Sequence, residues 1–328
     1  MPYRQLPRRP LGFFPTPLHA LPHLSDRLGG PRLFIKRDDQ TGLALGGNKT
    51  RKLEYLIADA IADKADTLVT AGATQSNHCR QTAAAAVACG LSCDLVLGGS
   101  APTAATGNYL LDCLFNARVH WAGDNRKGET IPEIANELRE RGRIPYVIPY
   151  GGSNAIGASA FVTAFAELTR QLQDLKISHI ILASSSGGTQ AGLTLGKYLC
   201  NSPVEIIGIE IDKGEAGSGS FAGHIATLAT QTANLLEVNA TFSLADVALQ
   251  QNYVGEGYGM VGELERRAIA LTAQTEGILL DPVYTGRAMG ALMDLCDRGQ
   301  LTADHTVLFW HTGGTPALFA HSHELMEQ

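Results

Sequence analysis

From about residue 30 onward, the chain alternates between short apolar runs and longer amphipathic stretches. The short runs are rich in β-branched residues and predict strands, whereas the longer stretches repeat apolar residues at helical spacing. This alternation is typical of βαβ units, in which helices cover both faces of a parallel sheet. The predicted strands are 32–37, 67–72, 93–99, 117–123, 146–152, 179–186, 205–211 and 306–314. The predicted helices are 49–63, 76–90, 107–116, 130–142, 154–174, 188–199, 222–235, 261–276, 285–298 and 315–326.

The length of 328 residues allows one large domain or two modest ones. No repeat or long flexible linker separates the predicted elements. We therefore predict an α/β fold of two open, twisted, mostly parallel-sheet lobes with helices on both faces. The small lobe is predicted at 51–155 and the large lobe at 1–50 and 156–328. Ligands of such folds bind beyond the carboxyl ends of parallel strands, so the turns there should carry the chemistry.

The composition argues against several classes of function. Hydrophobic residues make up 45% of the chain, and no run approaches the roughly 18 to 20 apolar residues of a membrane span. The N-terminal segment lacks the apolar core of a secretory signal, which favours a cytoplasmic location. The formal net charge of −6 leaves no basic field for nucleic acid, and the six cysteines show no metal-binding spacing. A small molecule is therefore the expected partner.

The sequence SSSGGTQAG, at 184–192, follows an apolar run and opens a predicted helix. At such a turn, backbone N–H groups and hydroxyls can face an anion at the helix N-terminus. The residues that could form this phosphate cup are Ser185, Ser186, Gly187, Gly188 and Thr189. A turn that needs glycine only for its backbone angles is equally consistent with the motif. The motif is not G-x-G-x-x-G, which disfavours a dinucleotide.

Lys49 stands between a glycine turn and the start of a predicted helix. A P-loop would place the lysine directly after its second glycine, but Asn48 separates Lys49 from Gly47. A lysine at a helix N-terminus opposes the helix dipole by roughly 0.3 to 1 kcal/mol when exposed. In a cleft, desolvation and the dipole both favour the neutral amine that a Schiff base requires. Taken alone, the lysine is better explained as a solvated charge beside Arg51 and Lys52.

A second polar cluster, Ser76, Asn77 and His78, stands at the start of the predicted helix 76–90. Free amides and short polar side chains at a helix N-terminus suit a carboxylate ligand. A plain capping box explains Ser76 but not the whole cluster. The sequence therefore indicates a second anion site, this one suited to a carboxylate.

Four separated segments together resemble one known family. They are GGNKTRKLEYL, TAGATQSNHCRQTAA, LLDPVYTGRAMGAL and HTGGTPALFA, in this order along the chain. The sequence is thereby similar to the pyridoxal-phosphate enzymes of the D-cysteine desulfhydrase and 1-aminocyclopropane-1-carboxylate deaminase group, which have the tryptophan synthase β-like fold, also called fold type II. The likeness extends from about residue 15 to the C-terminus. It implies pyridoxal 5'-phosphate as cofactor, the large lobe as its binding domain, an amino-acid substrate and a homodimer.

The resemblance also implies roles for individual residues. Lys49 would carry the cofactor as a Schiff base, and Asn77 would lie near the ring hydroxyl of the cofactor. The residues implied in cofactor binding are Asn48, Lys49, Asn77, Ser185, Ser186, Gly187, Gly188, Thr189 and Thr312. Those implied in substrate binding are Ser76, Asn77, His78, Tyr258 and Tyr284, with Ser76 and His78 near the substrate carboxylate. The catalytic residues would be Lys49, Ser76, Tyr258 and Tyr284.

Two positions bear on the reaction within this group. The deaminases carry glutamate directly after the second tyrosine, where this chain has Thr285, and an apolar residue where it has Thr312. A carboxylate facing the pyridine nitrogen makes the ring a strong electron sink, whereas a hydroxyl leaves the nitrogen largely neutral. Because opening a cyclopropane needs the stronger sink, the resemblance favours a carbon–sulfur lyase that converts D-cysteine to pyruvate, ammonia and hydrogen sulfide. The α-proton could pass to Lys49 or to the side of Tyr284 and Ser76.

Other functions stay open from the sequence. Elimination of sulfite from L-cysteate should need an extra cation or hydrogen-bond donor, for which His78 and Arg80 are candidates. The short loop at about 100–106 could reshape the substrate pocket. Ring opening of 1-aminocyclopropane-1-carboxylate is a further alternative. Two other classes are a non-catalytic amino-acid-binding protein with the same fold and a nucleotide-binding switch that uses Gly47 and Lys49.

Overall fold

The computed structural model describes residues 3–212 and 219–326. Its strands are β1 (Leu18–Ala20), β2 (Arg32–Arg37), β3 (Thr67–Ala73), β4 (Ser92–Gly98), β5 (Arg118–Trp121), β6 (Pro145–Val147), β7 (His179–Ser184), β8 (Glu205–Glu210), β9 (Ala248–Gln250) and β10 (Thr306–His311). Its helices are α1 (Pro22–Leu28), α2 (Lys49–Ala62), α3 (Asn77–Ala88), α4 (Gly107–Leu114), α5 (Ile131–Glu140), α6 (Ala155–Leu172), α7 (Gly188–Leu199), α8 (Phe221–Leu235), α9 (Glu263–Glu276), α10 (Thr285–Asp297), α11 (Pro316–Ala320) and α12 (Ser322–Met326). Among the helices of the described residues, none combines the length and apolar character needed to cross a bilayer.

The strands form two sheets. The six-stranded sheet has the order β1-β2-β10-β7-β8-β9, and the four-stranded sheet has the order β5-β4-β3-β6. Every neighbouring pair is parallel except β1 and β2, which pair antiparallel. Parallel neighbours require crossover connections, and most of these connections contain helices here. The predicted α/β fold with two mostly parallel sheets is confirmed.

Several short elements are not predicted by the sequence pattern. The strands β1 and β9 have three residues each, too few to show an alternation, and helix α1 is also missed. The predicted strand 146–152 is longer than the observed one, because β6 ends at Val147 and Gly151 adopts a left-handed φ of 64° in a short turn. The predicted helix 315–326 is two helices, α11 and α12, which are separated at His321.

Helix α2 lies at the seam between the two sheets. It packs against α3, which covers the four-stranded sheet, and against α6, which packs on α7 beside the six-stranded sheet. The four-stranded sheet uses residues between 67 and 147, and the other sheet takes strands from both sides of this range. The exact limits of the two predicted lobes stay a prediction.

Helices α6 and α7 approach each other closely at Gly192. A Cβ on Gly192 would lie 2.0 Å from the carbonyl oxygen of Ala158, so no larger residue allows this approach. At its start, α7 is held by Ser153, whose Oγ accepts a hydrogen bond of 3.2 Å from the N–H of Gly188. This packing fixes the N-terminus of α7 against the segment that precedes α6.

A buried group of ion pairs holds the first turn of α2. The guanidinium of Arg51 lies 2.8 Å from carboxylate oxygens of both Asp38, directly after β2, and Glu167, on α6. Lys36 donates to Glu167, and the indole nitrogen of Trp310 donates to Asp38 over 2.8 Å. All five side chains are buried. Because a buried charge that loses its partner is costly, this group ties α2 firmly to β2, α6 and β10.

Replacing Glu167 by glutamine should lower the free energy of unfolding at pH 7 by about 3 kcal/mol. Burial raises the pKa of Glu167, but the hydrogen bonds and charges of Arg51 and Lys36 lower it further, to about 2 from 4.5. The stabilisation is therefore complete above pH 4.5 and is lost as the pH falls towards 2. The difference between wild type and Glu167→Gln should shrink over this interval in urea unfolding curves.

A matched control is Glu205→Gln, since the Glu205 side chain is 55% exposed and pairs only with His179 at 3.5 Å among the described residues. We expect this variant to stay within about 0.5 kcal/mol of wild type. Equal losses in the two variants would contradict the importance of the buried group.

Candidate active site

A cavity of about 570 Å³, part of it open to solvent, lies at the carboxyl ends of strands from both sheets. The turns after β3, β7 and β10 contribute to its wall, as expected for ligand sites in parallel-sheet folds. The predicted site residues on this wall are Asn48, Lys49, Ser76, Asn77, His78, Ser185, Ser186, Gly187, Thr189, Tyr284 and Thr312. Gly188 lies between two of them in sequence, and Tyr258 contacts Tyr284. The fold therefore brings the predicted residues together.

The side chain of Lys49 lies along the cavity wall, and its Nζ donates a hydrogen bond of 3.2 Å to the carbonyl oxygen of Gly151. The neighbouring Asn48 fixes the backbone at this point. Its N–H donates to the carbonyl of Thr312 over 2.9 Å, and its side-chain amide donates to Oγ1 of Thr189 over 3.1 Å. The start of α2 is thereby joined to the turns that follow β10 and β7.

The glycine turn before Lys49 has a steric reason. Gly47 has a φ of 131°, and a Cβ there would lie 2.4 Å from Nε2 of Gln81 on α3. The Oε1 atom of Gln81 accepts hydrogen bonds of 2.8 and 2.9 Å from the N–H and hydroxyl of Thr50. Gln81 thus satisfies a free amide in the first turn of α2. The missing Cβ of Gly47 leaves room for this contact.

The turn before α7 is suited to an anion. Gly187 has a left-handed φ of 79°, and the N-terminus of the 12-residue helix α7 follows it. A Cβ on Gly188 would lie 2.5 Å from Oγ of Ser153 and 2.8 Å from Nζ of Lys52. Oγ of Ser153 also lies 2.8 Å from Oγ of Ser186. Hydroxyls, a helix N-terminus and an amine therefore converge on one small space.

The residues at this site that were not predicted from the sequence include Tyr150 and Gly151, on the cavity wall, and the buried Lys52 beside it. Nζ of Lys52 is buried and donates hydrogen bonds of 2.9 Å to the carbonyl of Gly151 and to Oγ of Ser153. Burial lowers the pKa of Lys52 well below 10.5, and the positive charge of Lys49 lowers it further. Both hydrogen-bond partners are uncharged, so an anion in the turn would stabilise this amine. The only signal in the sequence is the spacing of three from Lys49, which puts both side chains on one helix face.

The start of α3 forms another part of the wall. Oγ of Ser76 caps the helix by accepting a hydrogen bond of 3.2 Å from the N–H of Cys79. Oδ1 of Asn77 accepts a hydrogen bond of 3.0 Å from Asn108. This bond uses the oxygen of Asn77, so its amide nitrogen is the side-chain atom that can donate to a ligand.

His78 is a neutral hydrogen-bond acceptor in this cavity. Oγ1 of Thr70 lies 2.8 Å from both Nε2 of His78 and the carbonyl oxygen of Ile148. Because a carbonyl only accepts, the hydroxyl donates to Ile148 and accepts from Nε2–H, which leaves Nδ1 unprotonated. Burial lowers the pKa of His78 well below 6.5, and the charges of Lys49 and Lys52 lower it further. A carboxylate also only accepts hydrogen bonds, so Nδ1 of His78 does not fit the predicted contact with a substrate carboxylate.

Arg80 does not supply a cation to the cavity wall. Its guanidinium donates to the carbonyls of Ala44 and Gly46 and, over 3.0 Å, to Oδ1 of Asn108. Burial lowers its pKa to about 10, against the opposing effect of Asp112. The two cations considered for a dianionic substrate, Arg80 and His78, are therefore a structural arginine and a neutral imidazole.

The two predicted tyrosines form a hydrogen-bonded pair. The hydroxyls of Tyr258 and Tyr284 contact each other, and their rings pack edge to face with centroids 5.9 Å apart. Burial raises the pKa of both phenols. They are therefore neutral donors around pH 7. The two hydroxyls carry two hydrogens, and one of these forms the hydrogen bond between them. The other hydrogen can be donated to a ligand.

The two threonines used to choose between reactions occupy different environments. Thr312 lies on the cavity wall. The hydroxyl of Thr285 instead donates to Oδ1 of Asp281 over 2.7 Å, and this side chain is fully buried. The interpretation of Thr285 as a hydroxyl that faces the cofactor ring is therefore corrected, and only Thr312 has the position that this argument requires.

These features fit pyridoxal phosphate. Lys49 supplies an amine inside the cavity, the turn before α7 supplies an anion site, and Lys52 is a buried amine that donates to an uncharged carbonyl and hydroxyl. A family profile described as "Pyridoxal-phosphate dependent enzyme" matches residues 10–313. The chain belongs to this family.

Several relatives resemble the chain over nearly its whole length. The D-cysteine desulfhydrase of Klebsiella pneumoniae (strain 342) is 45% identical, and that of Salmonella newport (strain SL254) is 42% identical, each with 97% of both chains covered. A crystal structure of an ACC deaminase homologue superposes with a TM-score of 0.90 at 38% identity, covering 98% of this chain and 96% of the other. O-ureido-L-serine synthase, with a TM-score of 0.68 at 15% identity over 94% of this chain and 92% of the other, shares the fold alone.

Replacing Gly188 by alanine should weaken binding of pyridoxal phosphate. The new Cβ would force Ser153 and Lys52 away from the turn. We expect the dissociation constant to rise by about tenfold, which corresponds to about 1.4 kcal/mol. Absorbance titration of cofactor-free protein measures this constant.

The control is Gly30→Ala, whose Cβ would lie at an ordinary contact distance of 3.6 Å from its nearest neighbours. An unchanged dissociation constant in Gly188→Ala would contradict a phosphate site in this turn.

Proposed function

We propose that this chain is a lyase that converts D-cysteine and water to pyruvate, ammonia and hydrogen sulfide. The observation that carries the proposal is the position of Lys49, whose amine lies in a cavity beside a turn suited to an anion. The relatives named D-cysteine desulfhydrase, which align over 97% of both chains, support the choice of substrate.

In this proposal Lys49 binds the cofactor covalently through Nζ. The phosphate is held by the N-terminus of α7, by the serines of the preceding turn and by the buried amine of Lys52. The residues assigned to the cofactor are Asn48, Lys49, Lys52, Asn77, Ser185, Ser186, Gly187, Gly188, Thr189 and Thr312. When bound, the cofactor supplies an electron sink that stabilises negative charge at the α-carbon of an amino acid. All other steps depend on side chains of this protein.

The substrate carboxylate is assigned to the N-terminus of α3. There the hydroxyl of Ser76 and the free amides of the first turn can donate to it. The free hydrogen of the Tyr258–Tyr284 pair can donate to another polar atom of the substrate. His78 takes the role of an acceptor on the same wall, because its Nδ1 has no hydrogen to give. The α-proton acceptor is either Lys49 or the side of Tyr284 and Ser76.

The electrostatics of the cavity favour cysteine over cysteate. Cysteate carries an additional negative charge, and a buried charge without a partner is costly. His78 is neutral, and the guanidinium of Arg80 donates to the carbonyls of Ala44 and Gly46 and to the side chain of Asn108. Neither residue therefore offers a sulfonate a positively charged partner on the cavity wall, which supports a substrate with a neutral or singly charged β-substituent.

The substrate is tested with a panel of D-cysteine, L-cysteine, L-cysteate, β-chloro-D-alanine and 1-aminocyclopropane-1-carboxylate, scored by keto-acid formation. We expect pyruvate from D-cysteine and no 2-oxobutyrate from the cyclopropane. Lys49→Ala should abolish release, because no other group in the proposal forms the covalent link to the cofactor. The control is Lys176→Ala, which removes an exposed lysine and should behave as wild type.

Binding of D-cysteine without keto-acid release would favour the non-catalytic alternative. Release of 2-oxobutyrate as the main product would show that the protein opens the cyclopropane ring, and the proposed β-elimination would be rejected. The similarity to the ACC deaminase homologue suggests this alternative. Thermal stabilisation by a nucleotide but not by pyridoxal phosphate would favour the nucleotide-binding switch.

We also propose a cytoplasmic homodimer. All six cysteines are free, which suits a reducing compartment. Helices α4 and α11 pack together and leave large apolar side chains exposed, among them Leu114 at 70% and Phe319 at 68%. Such a surface is typical of a subunit contact.

Light scattering should therefore give twice the chain mass of 34.8 kDa. Leu114→Glu combined with Phe319→Glu should shift the protein to monomer, because charges would be buried in the contact. Ile144→Glu, at another exposed apolar position, is the control. A wild-type monomer would contradict the proposal, and an intact dimer in the double variant would contradict this contact surface.

A further inference from the structure

Arg126 connects the two sheets at the edge of the cavity. It lies in the segment after β5, the edge strand of the four-stranded sheet. Its guanidinium carbon lies 4.4 Å from the centroid of the Tyr258 ring, and it forms an ion pair with Asp212. It also donates to the hydroxyl of Tyr150 over 3.3 Å. Tyr258 and Asp212 follow strands β9 and β8 of the six-stranded sheet, so one side chain spans the seam.

The position of Arg126 is built into the four-stranded sheet. A Cβ on Gly98, the last residue of β4, would lie 2.3 Å from Cβ of Arg126, so the arginine stem packs directly on a glycine. The Arg126 side chain is 23% exposed and that of Asp212 only 7%, so the ion pair is largely withdrawn from water. Such a pair holds its geometry better than one on an open surface.

Two arginines hold Tyr258 in different ways. Arg287, on α10, donates to the carbonyls of Gly257 and Met260 over 3.1 and 2.8 Å and so fixes the backbone on both sides of Tyr258. Among the described residues, the arginine that lies over the Tyr258 ring is Arg126. The attraction between a cation and an aromatic face keeps the two planes together. The ring orientation determines where the Tyr258 hydroxyl meets Tyr284.

We infer that Arg126 is a positioning residue for the reaction, acting through Tyr258 to orient the Tyr258–Tyr284 hydroxyl pair towards the substrate. This inference rests on the proposed function, since it assigns that pair to the substrate. The inference adds to the site a residue of the four-stranded sheet, on the other side of the seam from Tyr258. Catalytic geometry at the tyrosines then depends on the contact between the two sheets.

The test compares Arg126→Gln with Arg126→Lys, using whichever amino acid of the panel the wild type turns over fastest. We expect kcat/KM to fall by about tenfold in Arg126→Gln, because the ring loses its cation. Arg126→Lys should lose less kcat/KM than Arg126→Gln, since lysine keeps the positive charge but lacks the planar guanidinium. The control is Arg118→Gln, on the same sheet, whose side chain is 59% exposed. Cofactor absorbance should match wild type in all three, which shows that folded holoenzyme is compared. The thermal midpoint should match wild type in Arg118→Gln and fall in Arg126→Gln, because the buried Asp212 loses its ion pair with Arg126, so activity is measured well below all the midpoints.

A double-mutant cycle with Tyr258→Phe separates positioning from other roles. Phenylalanine keeps the ring under Arg126 but lacks the hydroxyl, so Arg126→Gln should cause no further loss of kcat/KM in this background. Losses that multiply would overturn the inference, as would wild-type activity in Arg126→Gln. If the wild type turns over another amino acid but not D-cysteine, the proposed substrate is rejected. The double-mutant cycle, measured with that other amino acid, then still tests the positioning role of Arg126. Absence of any turnover by the wild type would overturn both.

Discussion

The burial of Arg51 determines where Lys49 can lie. Cations in the first turn of a helix oppose its dipole, and burying a guanidinium is costly unless carboxylates pair with it. Asp38, directly after β2, and Glu167, on α6, provide those carboxylates. Because Arg51 is held between these two carboxylates, the orientation of α2 about its own axis is fixed. That orientation directs Lys49 and Lys52 to the cavity and the α7 turn.

Both lysines donate to the carbonyl of Gly151, and this sharing gives the site its chemical character. Two amines close together in a buried site favour an anion nearby, because it compensates their charge. Burial lowers the pKa of Lys52 well below 10.5, and the positive charge of Lys49 lowers it further, so an anion beside the two amines would oppose both effects. This arrangement suits the phosphate end of pyridoxal phosphate.

The long amphipathic helices and apolar strands could be predicted from sequence because their periodicity is local. The grouping of Ser76 and Ser186 could also be predicted, since the carboxyl ends of parallel strands meet at one edge. Lys52 and Arg126 could not, because their roles depend on Gly151 and Tyr258, which are far away along the chain. In the sequence they are charges among other charges. The environment of Thr285 was missed for a different reason: Asp281, only four residues earlier, binds its hydroxyl.

The proposed reaction requires that Lys49, and not its neighbour Lys52, carries the cofactor. Borohydride reduction of the purified protein with bound pyridoxal phosphate, followed by peptide mass analysis, tests this most directly, since both amines lie at the same carbonyl. We expect loss of the visible absorbance band and a single reduced adduct, on Lys49, with Lys52 unmodified. An adduct on Lys52, or a folded protein that forms no adduct with added cofactor, would contradict this assignment.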